Sequence, residues 1–402
     1  MRLNLLHPRN RLSITPWLES GVLSFSLCPV SANQTASYNS RTGEGRETTE
    51  HPTVLEKSAM FGKCLLMDGK IAENKVVSPL SFQVVLSLLA AGSGGSTLRQ
   101  LLKFFNTDSV DRLNHLASQI SDVICADGDP AVGPRMRCAN ALWHNQPLTL
   151  KPSFKEILNS DYKTALNPVD FQTKALDVRQ NINSWVENET NGLVKNLIRE
   201  ESLNNSVQLV FTNALYFKGA WDEDKDRFES FEDIENVEMA SFMTAKRNEY
   251  GKDGCQFLNQ TYKKQSQDKR QVKMHFVYPP VDTEHGRRYH VTETLMNVCG
   301  CMTPKFDNSS EVEASHVLRQ LGVTSPFSKG ELTEMFSSFG CRRLYVSNIF
   351  QKSFIEINEQ GTQAATATAA IVMSGCPPRL PRLPRIKIRS KGYIPTLLHV
   401  GA

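Results

Sequence analysis

The sequence has no long hydrophobic run and no strong excess of charge. None of its apolar stretches reaches the roughly 18 residues that a membrane-spanning helix requires. Its 46 Lys and Arg residues are nearly balanced by 42 Asp and Glu residues. Such a balance does not favour nucleic acid as a partner. We therefore expect the protein to bind neither a membrane nor a nucleic acid.

Cysteine pairs at metal-binding spacing are also scarce. The nine cysteines are scattered, and their odd number and irregular spacing are not those of a disulfide framework. Cys299 and Cys301 are separated by one glycine, but no histidine or second cysteine pair lies nearby at ligand spacing. The sequence therefore predicts free thiols, no structural metal and no cofactor.

Common catalytic motifs are missing as well. The chain has no Gly-x-Ser-x-Gly elbow, no His-Glu-x-x-His helix and no dinucleotide-binding fingerprint. The glycine-rich residues 92–97 lack the lysine of a phosphate-binding loop, so we interpret them as a turn between helices. These absences argue against an enzyme.

The first 50 residues are mostly polar. Residues 33–50 show no hydrophobic period, so they bury too little surface to offset the entropy cost of ordering. A weak apolar patch lies at residues 21–27, but Arg9, Arg11 and Glu19 interrupt the pattern of a secretion signal. We expect residues 1–50 to form a poorly ordered extension.

Helical patterns dominate the first half of the chain. One helix is predicted over residues 53–67. Another begins at Ser78, which can cap it, with Pro79 in its first turn and the glycines of residues 92–95 at its end. Its predicted apolar face consists of Leu80, Val84, Val85 and Leu88. Further helices are predicted over residues 97–105 and 175–197.

Strand patterns dominate the second half. Residues 207–217 are rich in β-branched and aromatic side chains and are closed by Lys218 and Gly219, which is typical of a buried strand. Residues 344–350 and 352–357 predict two further strands. Helices followed by strands, without an internal repeat, predict a mixed α+β domain.

A tract rich in alanine and threonine follows the last predicted strand. Residues 361–370 are mostly small and all uncharged. In an extended strand Thr362, Ala364, Thr366 and Thr368 would lie on one face. The composition alone favours a flexible linker or a stray helix, and the position of the tract directly after residues 358–361 favours the extended strand instead.

Five blocks of sequence, in order, resemble the serpin family, and plant serpins in particular. The blocks cover about residues 53–376 and read VSPLS (77–81), INSWVENETNG (182–192), FTNALYFKGAW (211–221), LTEM (332–335) and FIEINEQGT (354–362). The resemblance implies the serpin fold, with helices packed on large mixed and antiparallel β-sheets and an exposed reactive-centre loop.

The resemblance also implies a protease inhibitor that is consumed as a substrate. A protease cuts the loop and becomes acylated, and the cut loop then inserts as a new strand of the main sheet and distorts the attached enzyme. An inserting segment must carry small, uncharged side chains that suit a central strand. The hinge residues implied are Glu359, Gly361, Thr362, Ala364, Ala365, Thr366, Ala367 and Thr368.

Other residues match the region where the family's sheet opens. Ser78, Ser81 and Asn213 match the polar shutter beneath the sheet, although helix capping explains Ser78 equally well. Trp185 matches the tryptophan where the loop first enters, and a plain core aromatic is the alternative. Gln351 stands where the family usually has a histidine, and its amide can donate and accept but cannot protonate.

By the family's convention the reactive bond joins Gly375 and Cys376. Met373 and Arg379 are better matches to chymotrypsin-like and trypsin-like pockets, so they remain alternatives.

The partner implied is a serine or cysteine protease, bound by a monomer. The resemblance implies the extracellular space, and the cytoplasm is the alternative because no convincing signal peptide is seen.

The chain departs from the family after Pro378. The family continues with an acidic-His-Pro-Phe segment and two apolar strands, whereas Pro384 and Pro395 here prevent two uninterrupted central strands. We therefore divide the chain into an extension (1–50), a serpin domain (51–376) and an atypical Pro- and Arg-rich segment (377–402). The alternative function is a non-inhibitory or decayed serpin-like protein that serves as a substrate or binding partner.

Overall fold

Most helices of the described chain precede most of its strands. The computed structural model describes residues 22–29, 53–68, 75–124, 134–222, 229–231, 242–245, 249–250, 256–262, 270–278, 301–328, 331–337 and 344–377. Within these ranges the helices are α1 (Val54–Met67), α2 (Pro79–Ala91), α3 (Gly95–Phe105), α4 (Val110–Ile124), α5 (Pro152–Ser160), α6 (Ala175–Glu189) and α7 (Ser315–Gln320). Short 3-10 turns span Glu200–Ser202 and Ser325–Phe327.

The strands of the described residues belong to three sheets. They are β1 (Val22–Pro29), β2 (Arg135–Asn145), β3 (Thr164–Val169), β4 (Val207–Ala220), β5 (Glu229–Phe231), β6 (Phe242–Ala245), β7 (Glu249–Tyr250), β8 (Gln256–Thr261), β9 (Arg270–Tyr278), β10 (Cys301–Pro304), β11 (Phe306–Glu313), β12 (Leu344–Ile357) and β13 (Gly361–Ser374). The largest sheet has six strands in the order β11-β12-β13-β4-β2-β3, and the smaller sheets run β1-β9-β8-β7 and β10-β6-β5. Helices together with one mixed and two antiparallel sheets among the described residues confirm the predicted α+β class.

Local capping explains where the first two helices begin. Thr53 caps α1 in a capping box, because its hydroxyl accepts from the Glu56 amide at 3.3 Å and the Glu56 carboxylate accepts from the Thr53 amide at 2.6 Å. Ser78 caps α2, with Pro79 in the first turn, and α2 ends at Ala91 before Gly92. The predicted starts of both helices are therefore confirmed.

The predicted single apolar face of α2 is too narrow, because all thirteen residues of α2 are buried. The faces without large apolar side chains carry Ser81, Gln83 and Ser87. The Gln83 side chain accepts a hydrogen bond from Ser58 of α1 at 2.9 Å. A helix that is covered on every side belongs to the centre of the domain.

Helix α6 is shorter than predicted, since it ends at Glu189 and not at residue 197. Asn191 and Gly192 adopt left-handed backbone conformations, with φ of 53° and 82°. Left-handed residues of this kind end a helix, and Asn and Gly are the residues that adopt the conformation most easily. The apolar residues after this break, such as Leu197, pack against the sheet in the core that contains α6, without continuing the helix.

The six-stranded sheet separates two hydrophobic cores. Consecutive side chains of a strand point to opposite faces. Phe211 and Leu142 join the core that contains α2, whereas Val210 and Trp143 join the core that contains α6. The two predicted strands at 344–350 and 352–357 form one strand, β12, with an irregularity between Val346 and Asn348.

The N-terminal extension differs from the expectation in one segment. Residues 22–29, expected within a poorly ordered extension, form β1 and pair antiparallel with β9 from Val22 opposite Val277 to Pro29 opposite Arg270. Their alternating apolar sequence suits a strand, and this outweighs the polar composition of the neighbouring residues. The rest of 1–50 and all of 378–402 lie outside the described residues.

Candidate functional site

The Ala/Thr tract is a central strand of the largest sheet. β13 lies between β12 and β4 and pairs antiparallel with both, so that Thr362 is opposite Ile357 on one side and Gly219 on the other. The family resemblance implied an exposed loop here, and the structure corrects this for residues 361–374. The correction has a physical reason, because every side chain of the tract is compatible with burial in a sheet.

The two faces of β13 match the two cores. One face of β13 carries Thr362, Ala364, Thr366 and Thr368, as predicted. The later residues of β13 on the same face pack in the core that contains α2. The opposite face presents Ala365, Ala367 and Ala369 to the core of α6. Because small side chains stand on both faces, the strand fits between the two helical layers without displacing them.

Gly361 begins β13 at a very close approach to β4. A Cβ atom on Gly361 would lie 2.0 Å from the Gly219 carbonyl oxygen, and this oxygen belongs to the backbone. The preceding turn is held by the side chain of Asn358, whose Oδ1 accepts from the amides of Gln360 at 3.0 Å and of Gly361 at 3.2 Å. Glycine is therefore the residue that lets the segment enter the sheet at this point.

Glu359 occupies the turn between β12 and β13. Its carboxylate lies 2.5 Å from the ammonium of Lys305, and the two side chains keep 24% and 29% of their surface exposed. Lys305 lies between β10 and β11, so the ion pair connects the hinge to the strand that borders β12. This contact explains why a charged residue is accommodated beside an otherwise uncharged segment.

Trp221 marks the end of the sheet where β13 begins. Its indole donates to the carbonyl of Asn358 at 2.8 Å, and its amide donates to the carbonyl of Gln360 at 3.1 Å. The indole also stacks on Tyr262, with ring centroids 4.7 Å apart. Burial raises the pKa of the Tyr262 hydroxyl well above its ordinary value.

Trp185, predicted at the entry point, lies towards the other end of the strand. It makes an edge contact with Trp143 of β2, with centroids 6.4 Å apart. Trp143 is opposite Val210 of β4, and Val210 is opposite Ile371, near the C-terminal end of β13. The prediction rested on the match of Trp185 to the family's sequence block. The antiparallel pairing of β4 with β13 identifies Trp221, because it directly follows β4.

A row of four polar residues crosses the middle of the sheet. Gln351, Thr368, Asn213 and Asn140 are successive register partners on β12, β13, β4 and β2. The Gln351 amide donates to the Thr368 hydroxyl at 2.8 Å, and the Asn213 amide donates to the Asn140 carbonyl oxygen at 2.8 Å. All four side chains are buried. Each therefore needs the partner that the next strand supplies.

Helix α2 closes this row from below. Gln351 accepts from the Ser78 amide at 2.7 Å and donates to the Ser78 carbonyl at 3.0 Å. The Ser81 hydroxyl lies 2.6 Å from the Thr368 hydroxyl and donates to the side-chain oxygen of Asn213. The residues predicted for the shutter are thus brought together, with Thr368 in their centre. Their role in sheet opening remains a prediction.

Sequence reasoning missed several members of the same cluster. Ser353 of β12 lies with its hydroxyl 2.7 Å from that of Thr366, and Asn140 donates to the Tyr162 carbonyl at 2.7 Å. A useful signal was available for Ser353, because it stands two residues after Gln351 on the same face of one strand. Asn140 offered no such signal, since its strand was not predicted.

The residues of the implied reactive bond follow directly after β13. The Ser374 amide donates to the Ser206 carbonyl at 2.9 Å, and this is the last pairing of the strand. Gly375 leaves the sheet with φ of 133°, a conformation that side chains rarely permit. Cys376 is exposed and its thiol is free. Met373 belongs to β13, and Arg379 lies outside the described residues.

The described part of the chain shows neither a metal-binding cluster nor a membrane-spanning helix. Over the described ranges, no group of three or more His, Cys, Asp or Glu side chains is arranged to hold a metal ion. The helices in this part of the chain are all too short or too polar to cross a membrane. Cys299, named above beside Cys301, lies outside the described residues.

Comparison with known proteins agrees with this architecture. The family model of the serpins (serine protease inhibitor) matches residues 63–385. Serpin-ZX of Arabidopsis thaliana is 42% identical over 321 residues, which cover 74% of this chain and 82% of that protein. Serpin-Z2B of Triticum aestivum is 37% identical and covers 76% of this chain and 82% of its own length.

A solved structure extends the similarity to the fold. The native stressed conformation of Arabidopsis AtSerpin1 superposes with a TM-score of 0.62 at 39% identity, over 78% of this chain and 86% of that chain. The chain belongs to the serpin family, a family of serine protease inhibitors.

Proposed function

We propose that this protein inhibits a serine protease by offering residues 361–376 as a substrate and then inserting the cut segment into its own sheet. The observation that carries the proposal is the position of β13 between β12 and β4. Fourteen consecutive residues fill that position as a paired strand. The match to a family of serine protease inhibitors and the similarity to a plant serpin do not favour the alternative that this chain is non-inhibitory.

The chemistry needs no catalytic group from this chain. The hydroxyl oxygen of the protease's serine attacks the carbonyl carbon of Gly375, and an ester bond forms while the bond to the Cys376 nitrogen breaks. The proton of the serine hydroxyl passes through the protease's histidine to the released amine. The inhibitor therefore remains attached through Gly375 as an acyl group until water hydrolyses the ester.

Insertion has to be completed before that hydrolysis. The segment gains main-chain pairing on both sides, and the Thr368 hydroxyl gains Ser81 and Gln351 as hydrogen-bond partners. At about 3.3 Å per residue, the fourteen residues of β13 carry the acyl group about 46 Å along the sheet. A protease dragged this far is pressed against the other end of the inhibitor and its active site is distorted.

The end of β13 supports Gly375–Cys376 as the reactive bond. The residues before a cut insert and the residue at the cut remains attached to the protease, so the bond should lie just beyond the inserted strand. Gly375 is the first residue past β13. The alternative position of the cut is at the basic residues from Arg379 onward. The alternative target class is the papain-like cysteine proteases.

The test is incubation of the full chain with chymotrypsin-like, elastase-like, trypsin-like and papain-like proteases. We expect a covalent complex on denaturing gels with at least one serine protease, and a released peptide that begins at Cys376 by mass spectrometry. Cleavage at this bond with every protease, but no covalent complex with any, would contradict the proposal.

We also propose that the inhibitor acts as a monomer in the extracellular space. The support is the family resemblance, with the cytoplasm as the alternative compartment. Sedimentation of the purified protein and localisation of a tagged chain in a plant cell test the two parts separately.

A further inference from the structure

Three cations lie together at the hinge end of the six-stranded sheet, on the neighbouring strands β2 and β4. Arg135 is the register partner of Lys218, and Arg137 is the register partner of Tyr216. Tyr216 packs in the core that contains α6, and alternate residues of a strand share a face, so the three cationic side chains lie on that face of the sheet. Arg137 and Lys218 are exposed, and Arg135 is half-buried. Arg135, Arg137 and Lys218 together form the basic edge.

The basic edge has no acidic partner within the described part of the chain. None of the ion pairs found there includes its three residues. In the same register row, Glu356 of β12 is separated from Lys218 by the neutral Gln363 of β13. Glu356 also accepts a hydrogen bond from the side chain of Asn358 at 3.1 Å. Ion pairing within these ranges therefore leaves the charge of the basic edge uncompensated.

This arrangement of charges is unfavourable for the folded chain on its own. Arg135 and Lys218 stand directly opposite each other, and like charges in that position destabilise a sheet. The charges also act on Tyr216: burial raises the pKa of its hydroxyl, and the positive charges of Arg135 and Arg137 oppose that rise. An anionic ligand at the basic edge would remove the repulsion.

The same part of β2 has an open edge. β3 pairs with β2 only from Asn140 to Asn145, whereas β4 pairs with β2 from Arg135 onward. In the ranges that the structure describes, residues 135–139 therefore have a strand on one side only. Main-chain amides and carbonyls at such an edge can pair with an extended peptide. Because alternate residues of an added strand lie on one face, the pleat fixes the spacing of the side chains that would meet the cations.

We propose that residues 135–139 of β2 bind an extended acidic segment of a partner protein as an added strand, with two carboxylates at alternate positions facing Arg135 and Arg137. A guanidinium can hold a carboxylate through two parallel hydrogen bonds. The intervening side chains of the segment face the side of Met136, which is buried, so they should be apolar and β-branched. The recognised pattern is thus acidic-x-acidic, with x apolar.

The open edge distinguishes a peptide from other polyanions. A polyanion without a peptide backbone uses the charges but leaves the outer main-chain groups of residues 135–139 unpaired. The position of the site also separates it from the bait. Lys218 is opposite Gln363 near the start of β13, whereas Gly375 follows the end of β13. A partner at the basic edge and a protease attached to Gly375 therefore lie at opposite ends of this strand.

The first experiment measures the binding of fluorescein-labelled peptides to the full chain by fluorescence anisotropy. The probe peptide is Thr-Glu-Val-Glu-Val-Thr. A second peptide has Gln in place of both Glu residues. A third, Thr-Glu-Glu-Val-Val-Thr, has the same composition as the probe, but its adjacent carboxylates lie on opposite faces of a strand. We expect the probe to bind at least tenfold more tightly than either control. Equal binding of the probe and the third peptide would show that charge alone is recognised, and would overturn strand addition.

Two variants of the full chain locate the site. The edge variant combines Arg135→Glu with Arg137→Glu. The control variant combines Arg99→Glu with Lys103→Glu, which reverses the same amount of charge at exposed positions of α3, a helix in the other core. We expect the edge variant to bind the probe at least tenfold more weakly than the natural chain, and the control variant to bind it within about twofold. A peptide with Lys in place of both Glu residues should bind the edge variant more tightly than the natural chain. Circular dichroism establishes that both variants fold.

The remaining outcomes decide between the occupants of the site. If the edge variant binds the probe as tightly as the natural chain does, the site lies elsewhere and the proposal is overturned. If dextran sulfate binds the natural chain more tightly than the edge variant while the probe does not bind, the occupant is a polyanion without a peptide backbone and strand addition is refuted. If no ligand binds and the edge variant self-associates in sedimentation, the basic edge only keeps an open strand from pairing with another copy, and the proposal fails.

A single exchange keeps the test decisive if the edge variant does not fold. Arg137→Gln removes one of the two facing cations, and it should weaken binding of the probe at least threefold. Unchanged binding by Arg137→Gln would then overturn the proposal. These measurements use the uncut chain without a protease, so their outcome is independent of the proposed function.

Discussion

Thr362 offers the sharpest test of the insertion mechanism. It is the first residue with a side chain in β13, and it retains 2% of its surface exposed. Its neighbours in the sheet are Ile357 and Gly219, and neither can pair with a positive charge. In Thr362→Arg, insertion would bury an unpaired guanidinium at its first step, at a cost of about 3 kcal/mol or more.

This cost predicts how much more slowly the cut loop inserts, and therefore whether the protease is trapped or released. Each 1.4 kcal/mol on a barrier is about a factor of ten in rate, so about 3 kcal/mol slows insertion roughly 150-fold. Hydrolysis of the acyl-enzyme is chemistry of the protease and is not slowed. An inhibitor that normally inserts before hydrolysis would then be released as a cleaved product in nearly every encounter.

The assay compares Thr362→Arg with Gln363→Arg and the natural chain, all freshly refolded. The neighbouring Gln363 is partly exposed and its amide donates to the Tyr216 hydroxyl at 3.2 Å, so the control adds the same charge where water can reach it. Gels should show cleaved Thr362→Arg without covalent complex, and complex with the control. A Thr362→Arg variant that still trapped protease stoichiometrically would refute the reasoning.

Three further predictions concern the hinge and the scaffold. Gly361→Ala should leave the loop cleavable. It should reduce the rise in melting temperature on cleavage by several degrees, because the new Cβ would collide with the Gly219 carbonyl. An unchanged rise in melting temperature would contradict this geometry. Lys305→Glu should lower complex formation by placing a like charge beside Glu359, and the double exchange Lys305→Glu with Glu359→Lys should restore it. Thr53→Ala should cost about 1 kcal/mol in urea unfolding through loss of the α1 cap, without altering the ratio of complex to cleaved inhibitor.

Much of the fold could be predicted because its signals are local. The Thr53 capping box and the Ser78-Pro79 start each lie within one helical turn of the boundary that they set. The run at residues 207–217 predicted β4 for the same reason. The end of α6 was missed because Asn191 and Gly192 terminate it by backbone conformation, while apolar residues continue beyond them.

The state of the loop could not be predicted from its composition. Residues 361–370 suit a central strand, and the same small side chains suit an exposed segment. Which of the two occurs depends on whether the sheet opens between β12 and β4, and these strands lie far apart in the sequence. The assignment of Trp185 failed for a related reason, because the position of Trp221 follows from strand pairing and not from spacing.

Gln351 gives the polar row an amide that does not titrate. Its amide accepts from the Ser78 amide and donates to both the Ser78 carbonyl and Thr368, and it is completely buried. A neutral histidine in Gln351→His could supply one acceptor and one donor, and a protonated one would lose the acceptor.

The sign of the expected pH effect follows from burial. Burial should depress the pKa of the new histidine below its ordinary value of about 6.5, so the unfolded chain binds the proton more tightly than the folded one. The stability of the cleaved, inserted Gln351→His protein should therefore fall as the pH drops below about 6.5, whereas Gln351 itself contributes no such dependence. Melting temperatures of cleaved natural and variant protein between about pH 5 and 8 measure the difference. If the two proteins showed the same dependence of melting temperature on pH, the reasoning would be refuted. A histidine at position 351 would then replace the hydrogen bonds of Gln351 without lowering stability in acid.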